Sequence, residues 1–203
     1  MESEQTLTRV NKHQPDYIHD ERREQIKRAA LKVFALRGIS GTKMSMIAAE
    51  ANISQGLSYR YFNSKEELFS ILVQEAVEEA QAEIRNVHSL PGTPIEQIRT
   101  FTKNMLDESN KHFFMLLQQA QTSDEVPEKA KEIIEQYSPE KTIEQLIPIF
   151  IKGQQMGEFC LGDPYKLLFL YFSVITGLML QDVQTDEGYW LEEINLLIKI
   201  LTK

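Results

Sequence analysis

Residues 41–68 read GTKMSMIAAEANISQGLSYRYFNSKEEL, and this stretch decides the fold. Its first half carries apolar residues at spacings of three, four and three, namely Met44, Ile47, Ala48 and Ala51. That spacing predicts a short helix with one narrow apolar face. Asn52 tolerates the left-handed backbone of a tight turn, and Ser54 can cap a following helix. The stretch therefore predicts two short helices joined by a turn, a helix-turn-helix.

The second short helix is predicted to run from Gln55 to Phe62. Five of its side chains can contact base edges, thymine methyl groups or phosphates. These are Gln55, Leu57, Tyr59, Arg60 and Tyr61. Ser64 and Glu67 then form an S-x-x-E capping box that begins a long helix. Lys65 lies in the first turn of that helix, where free N–H groups and the helix dipole favour a phosphate.

Together these residues resemble the TetR family of bacterial transcriptional regulators. The resemblance covers Ile26 to Leu72, and the matching positions are Ala29, Phe34, Gly38, Thr42, Ile47, Ala48, Ala51, Ser54, Gly56, Tyr59, Tyr61, Phe62, Lys65, Glu67, Leu68 and Phe69. Two positions depart from the family pattern. Asn52 replaces the usual turn glycine, and Ser58 replaces an apolar residue, which is expected to weaken packing on the preceding helix.

The resemblance implies that residues 55–61 form the recognition helix and that Tyr59, Tyr61 and Lys65 hold phosphates. It also implies that Thr42 and Lys43 contact the DNA backbone. The full set of expected DNA-binding residues is Thr42, Lys43, Ser45, Ser54, Gln55, Gly56, Leu57, Tyr59, Arg60, Tyr61 and Lys65. An alternative is that the aromatic residues 59, 61 and 62 are core side chains of a helical bundle, and Phe62 is expected in the core under either interpretation.

Charge is distributed unevenly along the chain. The whole chain has a formal net charge of −8, which by itself disfavours nucleic acid as a partner. Residues 20–65 nevertheless contain nine basic and four acidic residues, whereas residues 66–203 contain eleven basic and 23 acidic residues. Because phosphates respond to the local field, the basic segment supports DNA binding by the first part of the chain. The alternative is that Arg22, Arg23 and Lys27 form an ordinary solvated helix face.

The expected fold is all-α, with an N-terminal three-helix helix-turn-helix DNA-binding domain and a C-terminal helical ligand-binding and dimerisation domain. The predicted divisions are a flexible N-terminal arm over 1–19, the DNA-binding domain over 20–66, and the regulatory domain over 67–203. A linking helix is predicted from 65 to about 87. The arm is polar and has no apolar run, which argues against a signal peptide; disorder is favoured over DNA contacts by Arg9 and Lys12.

Helical patterns continue through the second domain, with breaks expected at 89–94, 124–127 and 157–164. Residues 167–180 carry no charge but are too few to cross a bilayer, so a buried helix is expected. A final helix is expected from about 189 to 201. The two apolar terminal helices predict a four-helix dimer interface that includes Leu178, Leu191, Ile194, Leu197, Ile198 and Leu201. The alternative is that both helices pack wholly within one monomer.

The resemblance also implies a small-molecule inducer that binds between the helices of the second domain. The candidate lining residues are Phe101, Met105, Phe114, Gln118, Tyr137, Phe150 and Phe172, with Phe113, Met115, Met156 and Met179 as further members. Their Phe and Met content suggests an apolar or aromatic ligand. The alternative is that each of them is an ordinary core residue.

Catalysis has little support in the sequence. Cys160 is the only thiol, and the four histidines show no metal-ligand spacing, so no catalytic residue, metal or cofactor is expected. A single cysteine suits a reducing cytoplasm and excludes an internal disulfide. The expected function is a homodimeric repressor that binds a palindromic DNA operator and is released by a small-molecule inducer, with no membrane partner. The alternative is a helical small-molecule carrier or interaction module that does not bind an operator.

Overall fold

The computed structural model describes residues 14–137, 139–180 and 194–202, and of residues 14–19, 108 and 139 it describes only the backbone. Every regular element in this part of the chain is helical, as the sequence predicts. The α-helices are α1 (Gln14–Arg37), α2 (Met44–Glu50), α3 (Gln55–Ser58), α4 (Lys65–Asn86), α5 (Pro94–Met105), α6 (Glu108–Thr122), α7 (Glu128–Gln136), α8 (Pro139–Gln155), α9 (Pro164–Leu180) and α10 (Ile194–Ile198). None of the helices described is long and apolar enough to cross a membrane.

The helices α1 to α3 and the start of α4 share one apolar core. Its buried members include Ile26, Phe34, Ile47, Phe62, Leu68 and Phe69, and Ile53 packs against them half-buried. Phe34 of α1 meets Phe69 of α4 edge to face, with 5.1 Å between ring centroids. Gly38 ends α1 with φ +67°, and its N–H donates to Phe34 O at 2.8 Å.

Two predicted boundaries in this region are wrong. Helix α1 begins at Gln14, so the expected arm over 1–19 overlaps the helix. Pro15 is compatible with a first helical turn, where its missing N–H has no intrahelical acceptor. The recognition helix is also shorter than expected: α3 ends at Ser58, and Tyr59 to Phe62 continue as tight turns, in which Tyr61 N–H donates to Ser58 O at 3.1 Å. Residues 1–13, including Arg9 and Lys12, lie outside the described part.

A second core lies among α4, α5, α8, α9 and α10. The breaks between its helices fall where proline, glycine and capping residues predict them. Thr93 caps α5 in a capping box with Glu96, and Pro139 begins α8. The Tyr171 hydroxyl of α9 lies 2.7 Å from Thr102 Oγ1 of α5, whose own proton goes to Ile98 O, so the tyrosine is the donor. Burial raises the pKa of Tyr171 to about 12.

The two cores are not separated by a clean boundary. Helix α4 runs through both, and side chains of α6, α7 and the loop between them complete the first core; these are Leu116, Ala120, Val126 and Ala130. Gln119 of α6 donates from Nε2 to Ala35 O of α1 at 2.8 Å. The helix-turn-helix therefore rests on the second domain through α6 as well as through α4.

The expected roles of the last two helices need correction. Helix α9 is not buried all round, because only one side, with Leu168, Tyr171, Ile175 and Met179, faces the second core. Four residues expected in a dimer interface are buried in that same core instead, namely Ile194, Leu197, Ile198 and Leu201. Leu178 is half-buried against the same core, and Leu191 lies outside the described residues. The last helical turns are bound to the monomer, since Cys160 N–H donates to Leu201 O at 2.8 Å.

Candidate nucleic-acid interface

The turn between α2 and α3 is built from local hydrogen bonds. Asn52 adopts φ 54°, as its position in the sequence predicts, while Asn52 N–H donates to Ala49 O and Ile53 N–H donates to Ala48 O. This pair of bonds is a Schellman motif that ends α2. Ser54 then caps α3, since its hydroxyl oxygen accepts from Leu57 N–H at 3.2 Å. The turn thus fixes the direction in which α3 leaves α2.

Helix α1 holds this pair of helices from behind. Gln25 Nε2 donates to Ala51 O at 2.7 Å, at the end of α2. Arg23 donates from Nη1 to Tyr61 O at 3.2 Å and lies over the Phe62 ring at 4.4 Å from its centroid. Helix α1 therefore holds both the end of α2 and the turns that follow α3.

The basic residues of α1 are not an ordinary solvated face, because two of them are engaged within the protein. Lys27 lies 2.7 Å from both Glu24 and Glu75. Its burial alone would lower the pKa of Lys27, but the hydrogen bonds and charges of these two carboxylates outweigh burial and raise it. Arg23 is bound to the recognition segment as described. Lys43 before α2 and Arg60 after α3 are exposed, as are Arg28 and Arg37 of α1.

Most of the expected DNA-binding residues form an exposed set at the start of α2 and along α3. The exposed members are Lys43, Ser45, Ser54, Gln55, Gly56, Tyr59 and Arg60. Leu57 and Tyr61 are half-buried, and Tyr61 packs against the first core. A side chain at Gly56 would meet no atom within 4 Å, so the fold does not require glycine there. The set combines two cationic groups with hydroxyl, amide and phenol groups on one short segment.

Two expected contacts are engaged elsewhere in the structure. Thr42 is fully buried, and its hydroxyl donates to Gly38 O at 2.6 Å, so this side chain is not open to DNA. Lys65 is half-buried, and its Nζ donates to Ile39 O at 2.7 Å and to Thr42 O at 2.9 Å. Lys65 thus holds the loop between α1 and α2 against the start of α4. Sequence spacing alone could not reveal the partners of Lys65, because they come from a loop more than twenty residues away.

Of the two hydrogen bonds expected in the capping box of α4, only one is present. Ser64 Oγ accepts from Glu67 N–H at 3.1 Å, but Glu67 Oε2 accepts from Asn63 N–H at 2.7 Å rather than from Ser64. Asn63 Nδ2 donates to the same carboxylate oxygen at 2.9 Å. The glutamate therefore fixes the residue before the cap and orients the entry into α4. Ser58, the second departure from the family pattern, is fully buried with its hydroxyl donating to Gln55 O at 2.7 Å.

The second domain contains a cavity of about 220 Å³ between α4, α5, α6, α8 and α9. Most of the expected lining residues border it, namely Phe101, Met105, Phe114, Gln118, Tyr137 and Phe172, together with Phe113 and Met179. Phe150 does not, because it is fully buried and stacks on Phe159 with 4.5 Å between centroids. Met115 and Met156 do not border it either.

Apart from Gln118 and Tyr137, the sequence-based set missed the polar part of the cavity wall. Glu79 and Glu83 of α4 line it, with Asn110 and Gln121 of α6, Thr142 of α8 and Thr176 of α9. The cavity wall therefore combines apolar and polar side chains. Spacing on α4 could have shown it, since Ala76, Ala80, Glu83 and Ile84 share one helix face with Glu79. Among the described residues, no group of histidine, cysteine, aspartate and glutamate side chains could hold a metal ion.

A helix-turn-helix clamped by α1, placed on a second helical core, defines an all-α DNA-binding regulatory protein of two domains. Residues 26–71 match the family described as bacterial regulatory proteins, tetR family. Residues 26–71 therefore form a DNA-binding domain of the TetR-family type. The resemblance first recognised in the sequence over residues 26–72 is thereby confirmed.

Relatives and solved structures agree with this assignment. The HTH-type transcriptional regulator HbdR of Aromatoleum sp. (strain CIB) is 35% identical over 80 residues, which are 39% of this chain and 34% of HbdR. The HTH-type regulator YuxN of Bacillus subtilis (strain 168) is 28% identical over 136 residues, or 65% of this chain and 47% of YuxN. The chain thus spans less than half the length of either relative. The ketosteroid transcriptional regulator KstR2 of Mycobacterium tuberculosis shares the fold, with a TM-score of 0.70 at 18% identity over 90% of this chain and 95% of that one.

Proposed function

We propose that this chain is a ligand-responsive repressor, which binds a palindromic DNA operator as a homodimer and leaves it when a small molecule enters the cavity. The observation that carries the proposal is the exposed face of α2 and α3, clamped to α1, above a cavity in the second domain. We assign DNA binding to residues 20–66 and regulation and dimerisation to residues 67–203. The cytoplasm, where chromosomal DNA is read, is the proposed compartment.

The DNA contacts are proposed for the side chains that are open on this face. Gln55 and Arg60 have the donors that pair with adenine and guanine edges, and Lys43, Ser45 and Tyr59 can meet phosphates. Gly56 leaves room for close approach of the backbone to DNA. Lys65 and Thr42 are proposed to position the loop before α2 rather than to touch DNA in this state.

The proposed dimer interface is the outer side of α9 and α10, in place of the buried residues that the sequence suggests. This side exposes apolar residues that are between 36% and 58% accessible, namely Phe169, Leu170, Val174, Leu180, Leu196 and Ile200. Exposed apolar faces of this kind are typical of association surfaces. A two-fold axis through it would present two recognition helices to half-sites about 34–36 Å apart, or a multiple of that distance.

Release of the operator is proposed to pass through α4 and α6. Both helices line the cavity and both contribute to the first core. Phe113 and Leu117 of α6 border the cavity and also pack against the first core. A ligand that changes the position of these side chains would therefore bias the arrangement of α1 and, with it, of the recognition helices.

The decisive experiment captures fragments of the source genome on the purified protein at moderate salt and sequences the retained DNA. We expect one palindromic site, whose affinity is then titrated against competitor DNA at several salt concentrations. Arg60→Gln should weaken binding by roughly 1–3 kcal/mol and relax the sequence preference. Arg85→Gln, an exposed arginine on α4 outside the helix-turn-helix, is the matched control. Retention without sequence preference, or equal affinity of both variants, would favour the carrier alternative.

A further inference from the structure

Two carboxylates stand in the wall of the cavity without a positive partner. Glu79 and Glu83 lie one turn apart on α4 and both line the cavity, Glu79 as an exposed side chain at its edge and Glu83 as a half-buried one. Among the described residues neither forms an ion pair or hydrogen bond. No lysine, arginine or histidine lines the cavity in the described part, and residues 181–193, outside it, contain none of these residues. The wall therefore carries negative charge that the chain around it does not neutralise.

The rest of the wall provides aromatic faces and neutral polar groups. Phe101, Phe113, Phe114 and Phe172 border the cavity, and ring faces attract cations through their quadrupole. The Tyr137 hydroxyl, which could compete for the carboxylates, is hydrogen-bonded to Thr142. The carboxylates and the phenylalanine rings thus both favour a cationic ligand.

We propose that this cavity binds an organic cation with an aromatic or apolar body, held between Glu79 and Glu83 on one side and the phenylalanine rings on the other. The inference rests on the proposed function, because it names the chemical class of the inducer. It also narrows the apolar or aromatic ligand suggested by the sequence. An anionic ligand would be repelled by both carboxylates, and a neutral one would cover the half-buried Glu83 without pairing its charge.

The direction in which the pKa of Glu83 is shifted agrees with this assignment. Burial raises the pKa of Glu83, and the neighbouring charge of Glu79 raises it further. Both effects disfavour two ionised carboxylates in the free cavity. A bound cation would favour the ionised form of both carboxylates. The cavity therefore favours a positively charged ligand.

The test compares three probes of nearly equal shape on the full-length protein: the cation 1-methylquinolinium, the neutral 1-methylnaphthalene and the anion 1-naphthoate. Calorimetric titration, with saturation-transfer NMR for weak binders, gives their affinities. We expect the cation to bind about tenfold more tightly than the neutral probe, a difference of about 1.4 kcal/mol, and the anion to bind most weakly. The double variant Glu79→Gln with Glu83→Gln should lose the preference and keep its affinity for the neutral probe.

Glu78→Gln is the matched control, since Glu78 is exposed on the same helix and does not line the cavity. Equal or tighter binding of the neutral or anionic probe, binding of none of them, or an unchanged preference in the double variant would overturn the inference. The comparison of the three probes on the unaltered protein does not depend on how the variants fold. Preferential binding of the cation without release of the operator would support the inference and contradict the inducer role, so the two failures are distinguishable.

Discussion

At the scale of single residues, the helix-turn-helix depends on long side chains that bind backbone carbonyls at a helix end and in a loop. Gln25 binds Ala51 O, and Lys65 binds Ile39 O and Thr42 O. Ala51 O lies at the end of α2, where a carbonyl lacks an intrahelical donor, and Thr42 O lies in the loop between α1 and α2. Ile39 O also accepts from Thr42 N–H, so for this carbonyl Lys65 is a second donor. These side chains therefore stabilise the arrangement that presents the exposed face, and their contribution to DNA binding is indirect.

Two lysines should separate positioning from contact. Lys65→Met removes both hydrogen bonds to the loop and should lower the free energy of unfolding by about 1–3 kcal/mol, with operator affinity falling as a consequence. Lys43→Met removes an exposed charge and should change stability by less than about 0.5 kcal/mol, while the salt dependence of DNA binding falls by about one unit of slope. Urea unfolding and fluorescence anisotropy at several salt concentrations measure both. Equal stability of the two variants would contradict the positioning role of Lys65.

The two carboxylates of the cavity should lower the stability of the fold by an amount that depends on pH. Because the pKa of Glu83 is raised in the folded protein, the folded state binds this proton more tightly than the unfolded chain does. Glu83 therefore stabilises the fold below its unfolded pKa, and this contribution is lost as pH rises through its folded pKa. Glu83→Gln should raise stability at pH 7 by about 0.2–0.5 kcal/mol, the usual cost of a like-charge pair one helical turn apart. Thermal unfolding at pH 4 should show a smaller difference, and a larger one there would contradict the prediction.

Local features of single residues were predictable from the sequence, and tertiary ones were not. The conformation of Asn52 and the cap by Ser54 follow from their own side chains and near neighbours, and both were predicted correctly. Thr42 and Lys65 are polar residues at positions where DNA contacts are plausible, yet their hydrogen bonds depend on how the loop after α1 folds back. No spacing rule contains that geometry, so the sequence did not show that these two side chains are engaged within the protein.

At the scale of elements, α9 shows why apolar periodicity did not identify the exposed side. The helix is apolar on nearly all sides, so its sequence does not distinguish the side that meets the core from the side that meets a partner. The structure buries Tyr171 and Ile175 and exposes Leu170 and Val174. Helix α10 repeats the pattern, with Leu197 buried and Leu196 exposed. The sequence thus identified two apolar helices, but four of the residues it suggested for an interface are buried within the chain.

The outer side of α9 gives a direct test of the dimer. Val174→Glu places a charge in the middle of the proposed interface and should convert the dimer to a monomer at micromolar concentration, because an unpaired buried charge is strongly unfavourable. Val174 is already exposed in the monomer, so thermal stability at low concentration should change little. Leu36→Glu is the control, an equally drastic change at an exposed leucine of α1. Sedimentation that shows the same oligomeric state for both variants would contradict this interface.

At the scale of the whole molecule, the two cores share helices rather than meeting at a hinge. Leu68 and Phe69 of α4 lie in the first core, and Glu79 and Glu83 of the same helix line the cavity. On α6, Gln119 binds Ala35 O of α1 from a helix whose other side borders the cavity. The sequence suggested α4 as the connection between the domains, while α6 became visible only once the packing was known. The structure thus provides two parallel links between cavity and recognition helices.

A larger side chain inside the cavity can mimic a bound ligand. It tests whether α6 couples the cavity to the helix-turn-helix. Ala80 lines the cavity, so Ala80→Phe should occupy part of its volume and weaken operator binding if occupancy favours the released state. Gln119→Met removes the hydrogen bond to Ala35 O and should leave operator affinity within about twofold when the cavity is empty. In the double variant the effect of Ala80→Phe should shrink, with a coupling energy of about 0.5–2 kcal/mol between the two positions.

The control for this cycle is Ala82→Phe, the same enlargement at a half-buried position of α4 that does not line the cavity. It should not couple to Gln119, because its side chain lies between the exposed neighbours Glu78 and Arg85 on the outer side of the helix. Operator titrations of the single and double variants give every term of the cycle. If Ala80→Phe weakens binding equally with and without Gln119, α6 does not carry the coupling, and α4 alone must connect the cavity to the recognition helices.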